Sequence, residues 1–378
     1  MKKFLTILLT ALMVFTLAGC NNNSGNGGNT PDPEPVDDGI TNVAVLIPFR
    51  GDQSYYDTVA FAADELDDAD NNIKVDVFEC DPNGTKEESN WMNWFDNVCE
   101  EGKYDLVVCG NGDYEPFLFA ACEKYPDQLF YDFDSSAIPA SGVPANCYAV
   151  DWALDDLGYQ VGSLSAAMTK SGVVGVVVGD DTPDMNQFIG GYCQILTEKG
   201  VKYLISYCGA KWMDPALGKE LADSMIAKGA DVIWEVAGGT GNGVVEACSA
   251  HENVWEIGVD RDRYAEFVES KPEWANTILT SALKNTNVAF KAVCEMVANG
   301  TYNEKLGKLE TWGIAWNGVG LAENDFYMAN TTEEVRAQIA ADLARVSSGE
   351  VEVVDTKLMD DATYASEWPT IRDAGRIE

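Results

Sequence analysis

Short runs of apolar and β-branched residues alternate with longer stretches of helical periodicity from Thr41 onward. Val43-Ala44-Val45-Leu46-Ile47 predicts a buried strand, and Ser54 to Ala69 predicts the helix after it. Ile73 to Phe78 predicts a second strand, followed by a helix from Lys86 to Glu101. Asp105 to Cys109, Pro116 to Lys124 and Leu129 to Phe133 continue the alternation. After a helix near Leu154 to Thr169 the rhythm restarts, with strands predicted at Val173 to Val178, Lys202 to Tyr207, Asp231 to Ala237, Val254 to Val259 and Ile278 to Leu283. Helices are predicted between and after them at Met185 to Lys199, Pro215 to Lys228, Gly243 to Ala250 and Thr286 to Asn299. Thr332 to Arg345 predicts one more helix, and Val351 to Glu378 predicts strand and loop.

Near-continuous apolar strands separated by helices indicate parallel sheets covered on both faces. Two successive doubly wound α/β units account for the restart. Such sheets bind ligands outside the carboxyl ends of their strands. Two sets of strand ends facing one another make a cleft, so the residues just after each strand are the candidates for chemistry.

The first forty residues break the pattern. Lys2 and Lys3 precede an apolar run from Phe4 to Phe15, which ends in Leu17-Ala18-Gly19-Cys20. A basic start, an apolar run shorter than the ~20 residues of a membrane span, and small residues before a cleavage point predict a secretory signal. The ending resembles a bacterial lipobox, which implies diacylation of Cys20 and cleavage before it. Asn21 to Asp38 is rich in Asn, Gly and Pro, with almost no apolar side chain to bury, and predicts a flexible tether. The boundaries expected are 1–19 for the signal, 20–40 for the lipidated cysteine and tether, and 41–152 plus a returning C-terminal segment for the first lobe. Residues 153–317 are expected to form mainly the second lobe, and 318–378 a C-terminal helix and tail. The expected location is the extracytoplasmic face of the cell membrane.

A formal charge of −37 disfavours nucleic acid and anionic headgroups as partners. With Cys20 lipidated, nine of the ten cysteines remain, an odd number, and several lie within apolar runs. They are expected to pack as small apolar side chains. No two are spaced for a zinc knuckle or a redox dithiol. His251 is the single histidine, no Gly-x-Ser-x-Gly elbow is present, and the Asp-rich segments Asp67-Asp68-Ala69-Asp70 and Asp260-Arg261-Asp262-Arg263 lack the glycine and final glutamate of a calcium loop. No catalytic residue, metal or cofactor is therefore expected.

At the strand ends, Asp52 or Ser54 is placed to cap the following helix, while Tyr55 and Tyr56 offer rings and hydroxyls. Gly110 and Asn111 follow the third strand, and Asp132 and Asp134 the fourth. In the second half, Trp212 lies on a loop just before Asp214-Pro215, a helix-start signal. Gly238 and Gly239 open a glycine-rich turn without the Lys-Ser/Thr ending of a P-loop. Asp260 ends one strand, where a carboxylate suits vicinal hydroxyls, and Lys284 closes the next.

Several of these segments together resemble the basic membrane lipoprotein family, substrate-binding lipoproteins of ABC importers that include purine nucleoside receptors. They are Gly209-Ala210-Lys211-Trp212-Met213-Asp214-Pro215, Ala237-Gly238-Gly239-Thr240-Gly241-Asn242-Gly243, Ile257-Gly258-Val259-Asp260 and Thr280-Ser281-Ala282-Leu283-Lys284, joined upstream by Asp52-Gln53-Ser54-Tyr55. The resemblance runs from about Val43 to Asn317. It implies a type I periplasmic-binding-protein fold, with two doubly wound parallel-sheet lobes, a hinge and an interlobe cleft. It also implies ABC permease subunits as partners and a nucleoside-like solute, its base against Trp212 and its ribose held by Asp260 and Lys284. One departure is Tyr56, where the family carries asparagine; it removes an amide and adds a phenol. The alternatives are another ring-bearing solute such as a flavin, a sugar, or a ligand-sensing surface role. A nucleoside- or glycoside-processing enzyme ranks last.

Overall fold

The computed structural model describes residues 39–69, 71–136 and 141–378. The signal segment, Cys20 and the tether up to residue 38 lie outside the described residues.

Among the described residues, twelve strands form two six-stranded sheets. Along the chain they are β1 (Thr41–Ile47), β2 (Ile73–Glu79), β3 (Leu106–Cys109), β4 (Leu129–Asp132), β5 (Cys147–Trp152), β6 (Val173–Val178), β7 (Lys202–Tyr207), β8 (Val232–Val236), β9 (Trp255–Asp260), β10 (Ile278–Lys284), β11 (Lys308–Trp312) and β12 (Val319–Leu321). The first sheet has the order β11-β5-β4-β3-β1-β2 and is parallel throughout. The second has the order β12-β10-β9-β8-β6-β7, with β12 as an antiparallel edge. β3 and β8 are buried along their whole length, and β1 and β6 at all but one position, as the unbroken apolar runs require.

The helices that matter here are α1 (Tyr55–Asp68), α2 (Glu88–Glu100) and α3 (Glu115–Lys124), then α4 (Leu154–Met168), α5 (Pro183–Glu198), α6 (Pro215–Ala227) and α7 (Gly241–Ser249), with the short α8 (Arg263–Phe267) and α9 (Pro272–Ala275), and finally α10 (Thr286–Ala298), α11 (Asp325–Asn330), α12 (Glu333–Ser347) and α13 (Asp361–Asp373). The chain changes sheet three times, after β5, after β10 and after β11. α10 returns to pack on α1, and β11 joins the edge of the first sheet beside β5. The C-terminal stretch expected as strand and loop instead holds α13, which packs on α5; its strand content is a single bridge from Arg376 to Tyr203 at the edge of β7. Trp368, almost fully buried, anchors this helix.

Of the nine described cysteines, eight are buried, Cys99 is half-buried, and all are free thiols. No helix among the described residues is long and apolar enough to cross a membrane.

The second sheet buries two acids on adjacent strands. Glu235 on β8 and Glu256 on β9 are both inaccessible, and neither carboxylate oxygen of Glu256 has a hydrogen-bond partner. Burial pushes Glu235 up to about 7 despite the nearby Arg263 guanidinium, and it raises Glu256 well above the ordinary value, with Glu235 adding to the effect. The folded chain thus keeps a proton that the unfolded chain releases near 4.5. This contribution to stability is full below that pH and is lost as pH rises through about 7. Glu256→Gln, which removes the buried charge, is expected to raise the melting temperature at pH 8 and to change it little at pH 4. An equal shift at both pH values in a thermal scan counts against it.

Candidate functional site

The loop from β1 to α1 brings the first lobe's side chains to the interlobe cleft. Gly51 and Gln53 both have positive φ, which turns the chain sharply enough for Asp52 to reach back to the helix. The Asp52 carboxylate accepts from the backbone N–H groups of Ser54 at 3.2 Å, Tyr56 at 2.8 Å and Asp57 at 3.1 Å. These are orphan donors of the first helical turn, so Asp52 is the cap. Burial nevertheless pushes its pKa up to about 6. Both of its oxygens accept from the first turn of α1, so Asp52 holds the start of the helix.

Capping by Asp52 frees Ser54. Its hydroxyl donates across the cleft to the carboxylate of Asp260, at the end of β9 in the other lobe. Asp260 adopts a positive φ of 65°, a conformation costly for most side chains but tolerated by aspartate. Burial raises its pKa, while the Ser54 hydroxyl and the Lys284 ammonium act in the opposite direction.

A second bridge lies one strand away. Lys284 Nζ is 2.6 Å from Asp134 Oδ2, and the Tyr55 hydroxyl donates to the same oxygen at 2.5 Å. Leu283 is in register with Asp260, which sets the two bridges on neighbouring strands. Lys284 also lies 5.0 Å from the centre of the Tyr55 ring and 6.0 Å from that of Trp152. Tyr56 packs edge-on against Tyr55 at 4.8 Å, and its hydroxyl accepts from Asn111 Nδ2 at 2.9 Å. Asn111 in turn donates its N–H to the Asp134 carbonyl at 3.1 Å. Gly110 permits this passage, since a Cβ there would stand 2.8 Å from the Phe133 ring.

Ser54, Tyr55, Asp134, Asp260 and Lys284 thus form two adjoining cross-lobe bridges, with Tyr56 and Asn111 one contact behind. Trp212 stands apart from them. Its indole is 39% exposed and lies over Gly179, where a Cβ would come within 1.9 Å of the ring. Gly179 follows β6, and β6 is two strands from β9, roughly 10 Å at ordinary strand spacing. The glycine-rich turn packs on the loop that carries Trp212. Thr240 N–H donates to the Trp212 carbonyl at 2.9 Å, and Gly239 makes room for Met213, whose sulfur would be 2.6 Å from a Cβ. Gly238 and Gly239 clasp the loop that carries the indole.

Sequence reading missed a third cross-lobe contact. Arg263, whose side chain is 1% exposed, donates from Nη1 to the Gln53 carbonyl at 2.5 Å and from Nη2 to Asn242, while Asn242 Nδ2 donates to Gln53 Oε1 at 2.7 Å. In the sequence Arg263 belongs to an alternating charged segment that looks solvated. It is buried because Gly258 lacks a side chain, for a Cβ there would lie 2.4 Å from Arg263 Cγ. Among the described residues no group of three or more His, Cys, Asp or Glu side chains is placed to hold a metal.

The arrangement can bind a polar solute between two lobes, with carboxylate acceptors on both sides and hydroxyl and ammonium donors beside them. Comparison with known proteins agrees in kind. The ABC transporter nucleoside-binding protein BmpA of Lactococcus lactis is 26% identical over 268 residues, 68% of this chain and 73% of that protein. A lipoprotein of Pyrococcus horikoshii is 26% identical over 339 residues, 86% of this chain and 78% of that protein. In structure, an ABC transporter solute-binding protein from Aeropyrum pernix superposes with a TM-score of 0.73 at 22% identity, covering 89% of this chain and 98% of that one, and identifies the fold as the type I periplasmic-binding architecture. The profile described as ABC transporter substrate-binding protein, PnrA-like, matches residues 40–352. The two lobes, the cleft they enclose and this match agree: the chain belongs to the PnrA-like (Bmp) family of ABC transporter substrate-binding proteins, a family of binding proteins rather than of enzymes.

Proposed function

We propose that the solute is a nucleoside, held with its sugar at the Asp134–Lys284 and Ser54–Asp260 bridges and its base toward Trp212. The observation that carries the reading is that Asp260 and Lys284, at neighbouring strand ends of the second lobe, meet Ser54 and Asp134 of the first, so that two carboxylates from opposite lobes stand beside three donors. A vicinal diol both donates and accepts, and so matches carboxylates that accept and a lysine that donates. The exposed indole two strands farther along the same sheet edge supports a flat ring at the other end of the solute. The nucleoside-binding name of the Lactococcus relative, at 26% identity, supports the same class.

As a substrate-binding protein the chain hands its solute to a permease. We further propose that it does so from the membrane surface, held by acylation of Cys20; the mass of the mature N-terminus tests this directly. Mass spectrometry of whatever co-purifies with the protein, released by denaturation, tests the solute class. Guanosine, inosine or adenosine is the expected finding, and a flavin or a plain sugar overturns it. Stacking of a base on an aromatic ring is worth roughly 1–3 kcal/mol by truncation. Trp212→Ala is therefore expected to weaken nucleoside binding about tenfold or more in a calorimetric titration. Wild-type affinity in that variant removes the indole from the site.

A further inference from the structure

The family match ends at residue 352, yet the next few residues reach the cleft. They run as a strap along α5 of the second lobe. The Gln194 side-chain amide grips the strap at two points, donating to the Glu352 carbonyl at 3.0 Å and accepting from Val354 N–H at 2.9 Å. Gly190 and Gly191 allow the backbone this close, since a Cβ on Gly190 would stand 2.4 Å from the Val354 carbonyl oxygen. Thr356, fully buried, fastens the end by donating to the Pro183 carbonyl at 2.7 Å.

The next residue crosses to the other lobe. Lys357 Nζ donates to the Ser135 carbonyl at 2.7 Å and lies 2.5 Å from Asp151 Oδ1 on β5. Ser135 follows Asp134 directly. Its N–H is bonded to the Val150 carbonyl at 2.8 Å and its hydroxyl to Glu115, both within the first lobe. The carbonyl is the group left to the strap. Both partners of the ion pair are mostly buried, with side-chain exposures of 15% and 18%. Burial opposes the charge on Lys357, but Asp151 outweighs it and the ammonium pKa is raised.

We propose that Lys357 is a positioning residue for solute capture: carried on a strap fastened to the second lobe, it fixes the turn that bears Asp134 and holds the two lobes together. It acts through Asp134 and through lobe closure rather than by touching the solute. The inference does not depend on which solute is bound.

Two measurements test it on Lys357→Met, Lys357→Arg and Asp151→Asn. In small-angle scattering of the protein as purified, Lys357→Met and Asp151→Asn are expected to show a larger radius of gyration than wild type, with Lys357→Arg close to wild type. In titration with inosine, Lys357→Met is expected to lose affinity about tenfold, the size of one charge-assisted hydrogen bond, mainly through faster dissociation. Hydrogen exchange across α13 should stay as in wild type. Equal radii in all four proteins overturn the proposal. So does an expansion seen only together with exposure of α13, since Lys357 would then merely anchor the tail. A wild type that ignores inosine counts against the nucleoside reading alone, because the scattering comparison needs no added solute.

Discussion

Lys284→Met is expected to weaken solute binding about a hundredfold, the largest effect of any single change in the cleft. The ammonium is the positive member of a bridge between lobes, with side-chain exposures of 6% for Lys284 and 15% for Asp134. Removing one partner of a buried pair costs about 3–5 kcal/mol, because the remaining charge is left without compensation. Partial exposure of Asp134 argues for the lower end, and about 3 kcal/mol is two decades of affinity. The Tyr55 hydroxyl remains to bond Asp134, but a neutral donor does not balance its charge. The double variant Lys284→Met/Asp134→Asn should therefore bind better than the sum of the two single losses implies, since it no longer strands a carboxylate. Calorimetric titration of the four proteins checks both statements. Strict additivity, or a Lys284→Met protein within twofold of wild type, removes the bridge from the site.

Gly158→Ala is expected to be strongly destabilising. α4 and α5 cross at Gly158, Gly162 and Gly191, and an added Cβ on Gly158 would lie 1.9 Å from the Phe188 carbonyl oxygen. That neighbour is helix backbone and cannot rotate aside, so the helices must part. Overpacking of a tight interior typically costs 1–3 kcal/mol, and contact with backbone argues for about 3. At roughly 2 °C per kcal/mol in a chain of this size, the melting temperature should fall by about 5 °C or more. Gly320→Ala is the control, since a Cβ there meets nothing within 4 Å. Similar melting temperatures for both variants contradict the crossing.

The strands were the most legible part of the fold. β1, β6 and β10 match their apolar runs to within a residue or two, because a strand buried on both faces must be apolar throughout. β5 and β11 were missed; they carry mixed sequences, and β11 is an exposed edge strand that pairs with a partner 160 residues upstream. The capping choice at α1 shows a second limit. Both Asp52 and Ser54 are competent caps on local chemistry. Asp260, more than 200 residues away, takes the Ser54 hydroxyl and leaves the helix to Asp52. Arg263 and Lys357 were illegible for the same reason. Each looks like an exposed charge until a glycine on a packed neighbouring element, Gly258 on β9 for one and Gly190 on α5 for the other, opens the space that lets it cross between lobes.

The one-dimensional pattern of this protein determined its two parallel-sheet units and the strand ends at which polar side chains gather. Burial periodicity and turn chemistry are local, so they survive in the order of residues alone. Which of those side chains meet was decided by the tertiary structure. Ser54 with Asp260, Asp134 with Lys284 and Gln53 with Arg263 are pairs between lobes, and their encounter depends on how three chain crossings set one sheet against the other. No local preference encodes that distance, because it is the sum of packing contacts along the entire chain.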